Sequence, residues 1–144
     1  MSVIEKSVVI NASTDEIDRF ALDPTTWPQW FAGVESVQSD GHFPEPGGVV
    51  EVHYKSMGLS FELAMTSEEL EVGNHVTFRM EGMIAGVQAW HYEPEGNATR
   101  VFCQFEYELP GGGVGKIMDK VLFQRTNSKS IEDSLNGLKA VVEA

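Results

Sequence analysis

The spacing of apolar residues changes along this chain, and the last change says most about the fold. Up to Leu109 they come in short β-branched or alternating runs. From Val114 to Glu143 they recur at three- and four-residue steps, at Val114, Ile117, Met118, Val121, Leu122, Ile131, Leu135, Leu138 and Val142. That stripe predicts one amphipathic helix, about 45 Å long at about 1.5 Å per residue. A compact domain of this length has a radius of gyration of roughly 14 to 15 Å, so the helix crosses the whole molecule and packs on something large.

The partner is predicted by the rest of the pattern. Residues 3 to 10, Val-Ile-Glu-Lys-Ser-Val-Val-Ile, read as a first strand. Ser13 and Glu16 have capping-box spacing, and Ile17, Phe20 and Ala21 form an apolar face, which predicts a short helix from Thr14 to Leu22. Asp23-Pro24 ends it, and Pro24 to Trp30 reads as a second short helical turn. Glycines at 41, 47–48, 58, 73, 82, 86 and 96 then separate strand-like runs at 34–40, 49–57, 60–71, 75–82, 85–94 and 98–109. The gaps are too short for crossover helices, so seven sequential antiparallel strands are expected. Alternation is clearest in the last, where Val101, Cys103, Phe105, Tyr107 and Leu109 share one face. The same parity puts Val76, Phe78 and Met80 on one face, and Gln88, Trp90 and Tyr92 on another.

Gly111-Gly112-Gly113 joins the last strand to the helix. No Lys-Ser/Thr pair follows it, which argues against a phosphate loop. At about 100° per residue, Val114 to Leu122 and Ile131 to Val142 cluster about a quarter-turn apart, with Arg125 and Ser128 between them. The helix is therefore expected to have two parts. Its C-terminal half clamps the sheet as core, although Gly137 weakens it by about 1 kcal/mol. Its N-terminal half, Ile117 to Leu122, carries the other stripe.

The chain has 144 residues with 22 acidic and 10 basic, a net charge of −12, and 42% hydrophobic content. These values describe one globular domain, residues 1–144, whose surface repels nucleic acid and anionic lipid. No window is apolar enough for membrane insertion, and Met-Ser-Val-Ile-Glu-Lys is not a signal peptide, so a cytoplasmic protein is expected. The lone Cys103 reads as a small buried hydrophobe. Histidines 42, 53, 75 and 91 have no metal-ligand spacing, so no metal and no cofactor are expected.

Ala12-Ser13-Thr14-Asp15-Glu16-Ile17, Asp23-Pro24, Trp27-Pro28-Gln29-Trp30, Trp90-His91-Tyr92-Glu93-Pro94 and Ser134-Leu135-Asn136-Gly137-Leu138-Lys139 resemble the START/Bet v 1-like (SRPBCC) superfamily, particularly its polyketide cyclase/dehydrase-like branch. The resemblance covers essentially the whole chain. It implies an α+β helix-grip fold, in which a curved antiparallel sheet wraps the long helix and leaves a cavity. It also implies a small hydrophobic ligand, which is lipid-, polyketide- or aromatic-like.

On strand parity the cavity wall is expected from Tyr54, Phe61, Phe78, Met80, Gln88, Trp90, Tyr92, Phe105 and Tyr107, with Met118, Val121 and Leu122 from the helix. Trp30 and Phe31, next to Trp27, close one end as a lid or a plug. No catalytic residue is assignable, and His53, Arg79 and His91 alternate away from the cavity-facing side chains. The leading expectation is a binding protein, monomeric or homodimeric. A cyclase, aromatase or dehydratase is the alternative, and it requires one of those titratable groups inside the cavity. An interaction module without a small-molecule ligand is the third reading, which requires a filled interior and an exposed apolar patch.

Overall fold

The computed structural model describes residues 2–56, 58–108 and 120–144. The chain runs β1 (Ser2–Ile10), α1 (Thr14–Ala21), a 3-10 turn (Pro24–Thr26), α2 (Trp27–Trp30), β2 (Val34–Ser39), β3 (Val49–Ser56), β4 (Leu59–Glu71), β5 (His75–Gly82), β6 (Ala85–Glu95), β7 (Ala98–Glu108) and α3 (Lys120–Glu143). All seven strands form one antiparallel sheet in the order β1-β7-β6-β5-β4-β3-β2. β2 to β7 are a meander. β1 closes the far edge on β7, from Ser2 opposite Tyr107 to Ile10 opposite Thr99. The α3 helix packs against β1, α1 and α2, which gives the helix-grip fold.

The predicted parity holds in every strand it covered. Val76, Phe78 and Met80, then Gln88, Trp90 and Tyr92, then Val101, Cys103, Phe105 and Tyr107 are all buried. Between them on the outer face lie Arg79, His91 and Glu106, with His91 stacked on Phe102 at 4.4 Å. Ser13 caps α1 as its spacing requires, accepting from the Glu16 N–H at 3.3 Å.

Several contacts fix α3. Ile131, Leu135 and Leu138 are buried in the core that α1, α2 and the sheet share. A Cβ on Gly137 would lie 2.4 Å from the Trp30 carbonyl oxygen, so the helix passes α2 at a distance only glycine allows. The Ser134 hydroxyl accepts from the Ala32 N–H at 3.0 Å and donates to the Ser130 carbonyl at 2.8 Å. At the end, the Lys139 ammonium donates to the Val9 carbonyl at 2.7 Å, and Glu143 accepts from the Asn11 N–H at 2.9 Å.

The two-stripe reading of this helix is corrected. Val121 and Leu122 are 59% and 49% exposed, while Phe123 is 2% exposed and Asn127 4%. Positions 123, 127, 131, 135 and 138 follow steps of four, four, four and three, a single straight stripe that needs no quarter-turn drift. A polar asparagine at its second position concealed it. Leu109, the Gly111-Gly112-Gly113 joint, Val114, Ile117 and Met118 lie outside the described residues.

Two substitutions test this docking. Leu135→Ala is expected to destabilise the fold by about 2 to 5 kcal/mol in urea denaturation. Gly137→Ala, although it improves helix propensity, is expected to destabilise by about 1 to 3 kcal/mol, because the methyl group must displace the Trp30 backbone. A Gly137→Ala protein at least as stable as the parent would show that the close approach is not a constraint.

Candidate functional site

Between the sheet and α3 lies a largely enclosed cavity of about 20 Å³. It has room for about one water molecule. Its wall is mostly apolar: Phe31 and Val34 after α2, Val52 on β3, Leu63 and Met65 on β4, Met80 on β5, Ile84 in the β5–β6 turn, Phe105 on β7 and Ile131 on α3. Four polar side chains join them, Tyr54, Gln88, Asn127 and Ser130. The alternation of β3 to β7 supplies the strand residues. The straight stripe of α3 supplies Asn127 and Ile131.

The polar groups are unequally satisfied. The Tyr54 and Ser130 hydroxyls are joined at 3.0 Å, and Gln88 accepts from the Trp90 indole N–H at 3.1 Å. Burial pushes the Tyr54 phenol above its ordinary value, against the opposing pull of Ser130, so it stays protonated. The Asn127 amide nitrogen is buried and has no hydrogen-bond partner among the described residues. The Tyr107 hydroxyl is in the same position beyond the cavity wall, its ring 5.6 Å from Phe123. A buried unpaired donor costs about 1 to 3 kcal/mol, so these two atoms stand out among the described residues.

Of the residues expected at the cavity, Phe31, Tyr54, Met80, Gln88 and Phe105 line it. Trp30, Phe78 and Trp90 are buried in an aromatic plug at one end with Trp27 and Phe43. Trp30 lies 6.0 Å from Trp90, and Trp27 5.4 Å from Phe43. The indole N–H groups of Trp27 and Trp30 donate to the Ala21 carbonyl and the Thr26 hydroxyl, so this end is a plug built into the core. Phe61 is half-buried behind Tyr54, 5.4 Å away, and Tyr107 stacks on Phe105 at 5.0 Å. Tyr92 points elsewhere: its hydroxyl donates to Asp18 at 2.6 Å and so ties α1 to β6. Val121 and Leu122, exposed on α3, are not in the wall; Met118 is outside the described residues. Asn127, Ser130 and Ile131 replace them. The cavity therefore faces the middle of α3, and Ile131, expected as plain core, is part of its wall.

Among the described residues, no imidazole or guanidinium reaches the cavity. His53 lies outside, 3.7 Å from Glu35, and Arg79 donates to Glu68 at 3.1 Å. Cys103 is fully buried, and burial pushes its thiol up, which keeps it an unreactive core residue. The fold is the START/Bet v 1-like helix-grip fold. Over residues 1–143 the sequence matches the family described as polyketide cyclase/dehydrase and lipid transport, and the chain belongs to that family. No curated protein matches the sequence. Among solved structures, a protein from Thermus thermophilus is similar at 23% identity and a TM-score of 0.83, with 98% of this chain and 97% of that one covered. A START superfamily protein from Mycobacterium smegmatis is 16% identical, with a TM-score of 0.78 over 98% and 97%. The Zhui aromatase/cyclase from a Streptomyces species is 15% identical, with a TM-score of 0.80 over 99% and 93%. At these identities the likeness is one of fold.

The Asp18–Tyr92 tie makes a pH-dependent prediction. Burial raises the Asp18 carboxyl above its usual 3.8, outweighing the hydrogen bonds from Tyr92 and the Gly73 N–H that pull it down. A carboxyl whose pKa is higher in the folded state adds stability that is full below its unfolded value and is lost as pH rises through its folded value. The stability of the parent relative to Asp18→Asn is therefore expected to be greatest in acid and to shrink as pH rises from 3.8. Urea titrations at a series of pH values measure it, and a difference that grows with pH would contradict the assignment.

Proposed function

We propose that this protein is a cytoplasmic carrier or receptor of a small hydrophobic molecule, held between the sheet and the middle of α3. The observation that carries the reading is the Asn127 amide, which has no partner among the described residues, in a cavity whose wall is mostly apolar. A ligand carbonyl or hydroxyl oxygen there would satisfy it, which is how binding cavities combine apolar walls with a few placed polar groups. Family membership supports the same reading.

At about 20 Å³ the cavity must widen to admit an organic molecule. Its wall suits that: Met65 and Met80 are unbranched and refill space readily, and Ile131 sits on a helix held most tightly nearer its end. A cyclase or dehydratase has no support in this wall, because among the described residues no imidazole or guanidinium lines it, and His53, Arg79 and His91 lie on the outer face.

The test is titration with a neutral fluorescent ligand, N-phenyl-1-naphthylamine, read by its emission and by tryptophan quenching. Saturable one-to-one binding is expected, weakened at least about tenfold by Val52→Phe, which fills the cavity from β3. Absence of saturable binding to this compound and to a panel of apolar and aromatic molecules would overturn the reading.

A further inference from the structure

We propose that the ligand is an amphipathic anion, whose charged head rests on Lys55, Arg125 and Lys129 while its apolar tail enters the interior between Tyr54 and Ser130. The inference rests on the binding reading above and names the class of molecule and its route.

Outside the cavity, between β3 and α3, the surface has an open depression of about 380 Å³. Tyr54 and Ser130 line both this depression and the inner cavity. The partition between solvent and interior is thus two side chains whose hydroxyls are joined at 3.0 Å. Tyr54 is held from behind by Gly33, where a Cβ would lie 2.6 Å from its ring. Breaking a single side-chain hydrogen bond starts to open the wall. On the inner side waits the unpaired Asn127 amide.

The depression reverses the charge of the molecule. In a chain of net charge −12, three of the ten basic residues meet there, facing one carboxylate, Asp133. Lys129 donates to Asp133 at 2.9 Å. Lys55 and Arg125 make no ion pair among the described residues. Two cations without an ion-pair partner among the described residues, beside this thin part of a mostly apolar cavity's wall, select a head that accepts forked hydrogen bonds, a carboxylate or a phosphate monoester. An anionic membrane does not fit, because the rest of the surface repels it.

The test uses three ligands with one tail: decanoate, decyl phosphate and 1-decanol, titrated calorimetrically. Either anion is expected to bind at least about tenfold more tightly than the alcohol at low salt, and the tighter of the two identifies the head. That preference is expected to fall between about 0.05 M and about 0.5 M salt and to vanish in Lys55→Gln/Arg125→Gln, whose affinity for 1-decanol stays that of the parent. Tyr54→Phe is expected to speed association of all three by about fivefold in stopped flow, the equivalent of one net hydrogen bond. Equal affinity for alcohol and anions, or a preference that survives the double substitution, overturns this inference and leaves the binding reading intact. Failure of all three ligands to bind overturns both.

Discussion

The interior exists because one helix is held over the sheet by close backbone contact with α2. Where α3 crosses α2, Gly137 has no side chain, and the two backbones approach closely enough for Ser134 to take the N–H of Ala32. Leu135 and Leu138 can then reach the core from the same face. A larger residue at 137 would lift the helix and, with it, the lid of every space beneath. Helix propensity alone disfavours glycine at such a position, so its presence records a packing need that outweighs local preference.

The interior has two regions of different stiffness. Around α2, aromatic rings meet edge-to-face and their indole N–H groups are satisfied by nearby backbone and hydroxyl oxygens. Such a cluster has little freedom to repack. Toward the middle of α3, methionines and aliphatic side chains surround a small cavity with an amide that lacks a partner among the described residues. Polar placement differs accordingly. In the plug it fixes position, whereas in the cavity it leaves hydrogen-bonding capacity unused. Three basic side chains, Lys55, Arg125 and Lys129, gather at one rim of the cavity, while His53 and His91 lie on the outer face.

Much of the fold was legible because strands and helices repeat with different periods. Alternation fixed the inward faces of β5, β6 and β7, and the glycines marked the turns between them. Ser13 and Glu16 announced the start of α1. The cavity was less legible, for a physical reason. Parity tells which side of a sheet a residue faces but not how far along the concave surface it lies. Trp90 and Gln88 share a face, yet one belongs to the plug and the other to the cavity. Tyr92 faced inward as expected and found its partner in α1. On the helix, hydrophobicity misled the reading: Val121 and Leu122 look like core but are largely exposed, whereas Asn127 looks like surface but is buried. The four-residue steps from Phe123 through Ile131 carried the correct signal. Gly137 was visible only as a weakness.

Lys139 and Glu143 bind the end of α3 to the backbone of Val9 and Asn11, and Gly137 and Ser134 hold it just before. Mechanically the helix is a beam clamped over its last third. A bend of such a beam near Ser134 changes its gap to the sheet at Ile131 and Asn127, where the cavity lies. The volume available between helix and sheet is then an elastic quantity. Discrimination among guests of different girth would follow from bending stiffness, and a residue that stiffens the clamp would narrow the range of guests without touching any of them.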